Sequence, residues 1–290
     1  MAQILDGRLV SSSLLADLKE EIAELKKTGP CPKLAIIIVG ENPASLSYVK
    51  QKEKAANEVG LDYEQISYDT DVTQQQLLDK IHALNVDINV HGILVQLPLP
   101  DHIDAPLLLK EISPRKDVDG FHAYNLGKMF LSKEYEELVP CTPKGIIRLL
   151  DHYKIDPKGK DVTIVGHSNI VGKPMATMLT NRDATVTVCH VHTKDLRHHT
   201  QNADILISAT GVTGLIKADM VKAGAVVIDV GCNKVEGKLC GDVDFEAIEA
   251  KADAITPVPG GVGPMTVACV IENTVIAYRW LQQHNFETTA

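Results

Sequence analysis

Tyr48 and Lys52 stand four residues apart in the stretch Ser47-Tyr-Val-Lys-Gln-Lys52. On a helix that spacing puts both side chains on one face, where an amine can polarise a phenol or lower its pKa and so handle protons. On spacing alone the plainer reading, a surface tyrosine beside a solvated lysine with Lys50 and Lys54 for company, is favoured. Gln96 ends the apolar run Gly92-Ile-Leu-Val-Gln96, before Leu-Pro-Leu-Pro100. The carboxyl end of a parallel strand is where open α/β folds bind ligands. Asp117 and Asp119 follow in the loop Asp117-Val-Asp-Gly120. An aspartate facing a pyrimidine-like ring can accept two hydrogen bonds from it, although Asp-Gly is also an ordinary turn pair.

A second kind of chemistry is written in Val162-Thr-Ile-Val-Gly-His-Ser-Asn-Ile-Val-Gly-Lys-Pro174. It reads as a strand, a tight glycine turn and a helix start, whose outward N–H groups suit a pyrophosphate. The spacing, Gly166-x-Ser168-x-x-x-Gly172, departs from the common GxGxxG fingerprint. The next strand ends His190-Val-His-Thr-Lys194, without the acid that usually holds an NAD ribose. This tilts the cofactor toward NADP. No arginine stands there either, His192 and Lys194 being the nearby cations, so NAD remains open. A Tyr-x-x-x-Lys pair also occurs in short-chain dehydrogenases, but downstream of their dinucleotide turn; here it precedes the turn. His190, His192, His198 and His199 lack the carboxylate or cysteine pattern of a metal site, and hydrogen-bonding or solvated histidines are expected instead.

Composition narrows the class. The chain has 290 residues, 44% hydrophobic and 23% charged, with a formal charge of −9. That suits a soluble protein of one large or two ordinary domains, and no basic block offers a nucleic-acid surface. Six cysteines without a CxxC pair read as buried, reduced thiols. No apolar stretch approaches the roughly 18 residues that span a bilayer, and no secretory signal opens the chain; a cytoplasmic protein is expected.

The elements that must position these residues alternate between strand and helix. Helical spacing covers 14–27 and stops at Thr28-Gly-Pro30, and 34–39 is a continuous apolar run that reads as a buried strand. A helix over 45–59 ending at Gly60, a strand at 63–68, a helix over 74–84 and a strand at 92–96 follow, which predicts parallel pairing. Thr142-Pro143 can start a helix over 144–153. Strands at 162–165, 185–190, 204–208 and 225–230 then make a separate nucleotide-binding domain. The last helix, 267–283, carries Val267, Val270, Ile271, Val275, Tyr278 and Leu281 along one stripe and is expected to fold back onto the first domain.

Six segments in order resemble the bifunctional methylenetetrahydrofolate dehydrogenase/methenyltetrahydrofolate cyclohydrolase family. They are Ser47–Lys52, Gly92–Pro100, Lys116–Phe121, Pro140–Gly145, Gly166–Pro174 and Pro257-Val-Pro-Gly-Gly-Val-Gly-Pro-Met-Thr266. The resemblance implies an α/β protein of two domains flanking a cleft: a folate-binding catalytic domain (1–139 plus 267–290) and a Rossmann-type parallel-sheet domain (140–266) for NADP. It also implies a homodimer built through the nucleotide-binding domains. By position, Lys52 becomes the key catalytic group supported by Gln96. Tyr48 stacks beside the pterin and Asp119 holds it. Gly166, His167, Ser168, Val191, Cys232 and Thr142 fall on the dinucleotide, and Pro259, Gly260 and Gly261 approach the folate. This chain departs from its relatives at His167 and Val191, where they often carry arginine or serine. Loss of one activity, or a non-enzymatic nucleotide-binding module, are the alternatives. The second predicts no need for four polar residues converging on one site.

Overall fold

A computed structural model describes residues 1–285. The chain opens with β1 (Gln3–Ile4) and α1 (Gly7–Leu25), then β2 (Lys33–Val39), α2 (Pro43–Val59), β3 (Asp62–Tyr68), α3 (Gln74–Val86) and β4 (Gly92–Val95). Two shorter helices, α4 (Ala105–Glu111) and α5 (Ala123–Leu131), precede α6 (Cys141–His152). The second alternation comprises β5 (Asp161–Val165), α7 (Gly172–Thr180), β6 (Thr185–Cys189), α8 (Leu196–Thr200), β7 (Ile205–Ser208) and β8 (Val226–Asp229). A hairpin of β9 (Asn233–Val235) and β10 (Lys238–Cys240) follows, then α9 (Phe245–Glu249), β11 (Ala254–Ile255) and α10 (Val262–Asn285).

The contacts divide the chain into two compact units. The first holds Ser12–Lys128, Glu134–Cys141 and the described residues from Val267; the second holds Met1–Ser11, Met129–Lys133 and Thr142–Thr266. The opening eleven residues, expected with the first domain, group with the second because β1 pairs with β11.

In the first unit β3, β2 and β4 form a parallel sheet. Its central strand explains the unbroken apolar run in the sequence, since alternate side chains of a strand point to opposite faces. Leu34, Ile36 and Ile38 enter one core with Leu18, Ile22, Val49 and Ala56, joined by Val267, Val270, Ile271 and Val275 of α10. Ala35, Ile37 and Val39 enter another with Leu77, Ile81, Leu84 and Leu108. Both faces are covered, so the strand needs no polar side, and each buried aliphatic stabilises by about 1.5–3 kcal/mol.

The second unit is a six-stranded parallel sheet ordered β1-β11-β8-β7-β5-β6. From β5 the chain passes to β6 on one side, then to β7, β8 and β11 on the other. The order reverses beside β5, which makes the carboxyl ends of β5 and β7 a topological switch point.

Several expected bounds shift. Helix α1 starts at Gly7 rather than residue 14, where the Asp6 carboxylate accepts the Arg8 and Leu9 N–H groups. Helix α10 starts at Val262, so Gly263 and Pro264 belong to its first turn. The expectation of buried thiols holds for Cys141, Cys189 and Cys269. Cys232, in the loop after β8, is exposed, while Cys31 and Cys240 are partly so.

Candidate active site

Helix α2 delivers the amine. Asn42 caps it, its side chain accepting the Ala44 and Ser45 N–H groups, Pro43 occupies its first turn, and left-handed Gly60 ends it. Ser45, Val49, Lys52, Ala56 and Val59 recur at helical spacing along the buried face. Lys52 is therefore inside, 5% exposed, while Lys50 and Lys54 face solvent. The solvated-lysine reading is overturned.

Gln96 meets that amine. Its backbone N–H continues the ladder to Ile37, and its side-chain amide donates to the Leu97 carbonyl at 2.8 Å. With the amide nitrogen so engaged, the carbonyl oxygen faces Lys52, whose Nζ donates to it at 2.9 Å. Burial lowers the Lys52 pKa, an effect opposed by the charges of Asp119 and Cys141.

Asp119 arrives on a loop that extends the sheet. The Ile93 N–H donates to the Lys116 carbonyl at 2.7 Å, and Ile93 bridges to Asp117 in parallel fashion. Lys116, itself buried, donates from Nζ to the Leu84 and Asp87 carbonyls at the end of α3. Gly120 has φ 77°, and a Cβ there would stand 2.3 Å from the Val139 carbonyl carbon, so the turn demands glycine. Burial pushes Asp119 up to about 6, with the Lys52 charge pulling it down and the Asp117 charge adding to the rise. Burial thus drives amine and carboxyl alike toward their neutral forms. Among the described residues the Asp119 carboxyl takes no hydrogen bond, which leaves its oxygens to a ligand.

Lys52, Gln96 and Asp119 are thereby brought together, and Tyr48, half-buried one turn before Lys52, packs against the same core. A polar cluster of this kind can bind a planar heterocycle through the carboxyl and hold or move a proton at the amine. A separate cavity of about 280 Å³ in this unit, lined by Arg115, Tyr124, Lys128 and Trp280 among others, includes none of these four residues.

The second unit carries the other group at the carboxyl ends of β5, β6 and β8. Gly166 follows β5 with φ 121°, and a Cβ on it would stand 2.3 Å from the Ala209 carbonyl oxygen. A Cβ on Gly172 would stand 2.1 Å from the Gly166 carbonyl oxygen. Backbone packs against backbone here, and the Ser168 hydroxyl accepts the Val171 N–H at 3.2 Å just before α7 begins. Such a cradle fits a pyrophosphate. His167, Ser168, Val191 and Cys232 are all exposed around it. His190 and His192 lie beyond β6 rather than on it, in a turn closed by the His190 N–H to Thr193 Oγ1. The rings of His167 and His190 are 4.9 Å apart, and those of His190 and His192 5.9 Å. Among the described residues no group of three or more His, Cys, Asp or Glu side chains could hold a metal ion.

Thr142, in the first turn of α6, shares a hydroxyl–hydroxyl hydrogen bond of 3.1 Å with Thr266. Pro259, Gly260 and Gly261 form a turn against the start of α1. Gly260 accepts the Gly7 and Arg8 N–H groups, and the Gly261 N–H donates to Pro257.

Two residues that support the first group were not singled out from the sequence. Asn273, fully buried on α10, donates to the Val118 carbonyl at 2.9 Å and the Val139 carbonyl at 3.1 Å, tying the residue before Asp119 to the segment that packs against Gly120. Asn125 donates to Asp117 at 2.9 Å. The polar run Glu272-Asn-Thr274 inside an apolar helix was the available signal for Asn273.

Residues 5–119 match the catalytic domain of the tetrahydrofolate dehydrogenase/cyclohydrolase family, and residues 140–282 match its NAD(P)-binding domain. The chain is 52% identical to the bifunctional protein FolD of Aquifex aeolicus over 290 residues, covering 100% of this chain and 99% of that one. It superimposes with a TM-score of 0.94 on the crystal structure of the bifunctional methylenetetrahydrofolate dehydrogenase/cyclohydrolase FolD of Campylobacter jejuni, at 51% identity, covering 96% of this chain and 99% of that one. The Trypanosoma brucei N5,N10-methylenetetrahydrofolate dehydrogenase–cyclohydrolase, solved with NADP cofactor and inhibitor, gives a TM-score of 0.93 at 39% identity, covering 96% of this chain and 98% of that one.

Proposed function

This chain belongs to the tetrahydrofolate dehydrogenase/cyclohydrolase family, and from that premise we propose how its own residues carry the two reactions. The enzyme oxidises 5,10-methylenetetrahydrofolate to the 5,10-methenyl cation and then hydrolyses that cation, with one water and release of one proton, to 10-formyltetrahydrofolate. The observation that carries the reading is a buried lysine, its amine held by Gln96 at 2.9 Å and close enough to Asp119 for each charge to act on the other.

Asp119 accepts hydrogen bonds from the pterin N–H and amino groups, and Tyr48 stacks beside the ring system. Bound NADP supplies the hydride acceptor for the oxidation. The protein's contribution to that step is proximity and exclusion of water, with no side chain required to take a proton. In the second step water attacks the methenyl carbon. Lys52, kept partly neutral by burial, takes or relays the proton while the Gln96 carbonyl fixes its direction.

The backbone cradle at Gly166 and Gly172 supports binding of a dinucleotide pyrophosphate. His167 and His192 supply donors for an adenosine 2′-phosphate in place of arginine, and no acid opposes it there; these features favour NADP over NAD. Pro259, Gly260 and Gly261 border the folate, and Thr142, Val191 and Cys232 border the dinucleotide. The working form is a homodimer joined through the nucleotide-binding domains. It acts in the cytoplasm, makes the formyl donor for purine biosynthesis and has no nucleic-acid partner. A charge of −9 supports the lack of a nucleic-acid partner, and no helix among the described residues is long and apolar enough to cross a membrane.

The test is spectrophotometric: methenyl formation from methylenetetrahydrofolate with NADP and with NAD, then decay of added methenyltetrahydrofolate. Formation with NADP and enzyme-dependent decay are expected. Absence of methenyl formation with either dinucleotide defeats the dehydrogenase, and decay no faster than in buffer defeats the cyclohydrolase.

A further inference from the structure

We propose that Asp117 is a positioning residue for Asp119, holding the turn that presents the Asp119 carboxyl to the folate. The proposal rests on the reading of Asp119 as the pterin-binding carboxyl. Asp117 is 1% exposed and touches no substrate in that reading. Its Oδ1 accepts the Gly120 and Phe121 N–H groups at 3.1 and 3.3 Å. Its Oδ2 accepts the His122 N–H at 2.8 Å and the Asn125 amide at 2.9 Å. Four donors match the roughly four acceptor positions of a carboxylate, and three of them are backbone groups of the turn that follows Asp119.

Asp119 depends on this scaffold because its own side chain has no hydrogen bond to hold it among the described residues. The backbone must aim it. Asn125 anchors the arrangement from behind, its amide also donating to the Pro114 carbonyl at 2.8 Å.

Asp117 acts on Asp119 through charge as well as shape. Among the described residues, Lys52 acts on Asp119, Cys141 acts on Lys52, and His122 acts on Asp117. The Asp117 charge opposes ionisation of Asp119, and the Lys52 charge favours it. Removing the Asp117 charge while keeping its size lets Asp119 ionise at lower pH, and leaves two of the four donors without an acceptor.

The experiment titrates the full-length protein with the stable folate 5-formyltetrahydrofolate between about pH 5 and 8, and separately with NADPH, for wild type, Asp117→Asn, Asn125→Ala and Asp119→Asn. Asp117→Asn should weaken folate binding at least ~10-fold at about pH 7.5, move the acid limb of folate affinity to lower pH and leave NADPH affinity unchanged. Asn125→Ala keeps the charge, and should weaken folate binding several-fold without moving the acid limb. A merely structural role would weaken both ligands together and move no limb. Wild-type folate affinity and acid limb in Asp117→Asn overturn the proposal, as does equal loss of NADPH binding. If Asp117→Asn does not fold, unchanged folate affinity in Asn125→Ala overturns it. Should Asp119→Asn bind folate like wild type, the reading of Asp119 itself falls; if it binds weakly and Asp117→Asn does not, only the present proposal falls.

Discussion

The Lys52 amine donates to the Gln96 side-chain carbonyl at 2.9 Å from a position only 5% exposed. An amine buried this way is held neutral more readily than one in water, and the Gln96 acceptor carries no charge.

Gln96 is therefore expected to be sensitive to charge rather than to size. In Gln96→Glu a carboxylate beside Lys52 favours the ammonium form and removes the proton acceptor. Hydrolysis of methenyltetrahydrofolate should fall by about 10²-fold, the scale of one general base, while NADP-dependent oxidation falls less than about tenfold. Parallel assays of the two half-reactions check this; equal losses in both would show that Gln96 serves folate binding alone.

Asp119 should carry a stability cost. Burial raises it to about 6, whereas an aspartate in the unfolded chain titrates near ~3.9. Between those values the folded chain holds a proton that the unfolded chain has lost, so stability falls as pH rises from about 4 to about 6 and stays lower above. Asp119→Asn lacks this dependence. It should be more stable than wild type at about pH 8, by up to roughly 3 kcal/mol, with the gain gone at about pH 4 and folate binding weakened. Urea unfolding at both pH values measures it; lower stability of the variant at pH 8 contradicts the raised pKa.

In the second unit the glycine cradle is steric. A Cβ at Gly172 would press within 2.1 Å of the Gly166 carbonyl oxygen, a backbone atom that cannot swing away. Gly172→Ala should destabilise by about 1–3 kcal/mol and weaken NADPH binding at least ~10-fold. Denaturant unfolding and fluorescence titration check the pair of effects, and tight NADPH binding by this variant would remove the cradle from the cofactor site.

Selectivity between dinucleotides should rest on His167 and His192. The double variant His167→Ala/His192→Ala should reduce the ratio of NADP to NAD affinity by about tenfold, the worth of one or two hydrogen bonds to a charged phosphate. NAD affinity should barely change. An unaltered ratio in equilibrium titrations would mean that backbone groups read the 2′-phosphate.

The readable parts of the sequence were those in which local pattern and tertiary role agree. Leu34-Ala-Ile-Ile-Ile-Val39 had to be a doubly covered strand, and the breaker Gly60 fixed the end of α2. The two-residue strands β1 and β11 carry no periodicity, because each exists only through its partner, and that pairing moves residues 1–11 into the second unit. Lys52 could not be separated by type from Lys50 and Lys54. Only its place on the stripe Ser45, Val49, Lys52, Ala56 distinguishes it. Asp117 and Asp119 both read as turn formers, and the hydrogen bonds that make one a scaffold and leave the other free arise from contacts with Asn125 and the folded turn.

The Lys52 amine serves the hydrolytic step and not the oxidation, and Lys52→Met isolates it. Cyclohydrolase turnover of purified Lys52→Met should fall to the buffer rate while measurable NADP-dependent methenyl formation persists. Wild-type cyclohydrolase turnover in that variant would contradict the assignment outright.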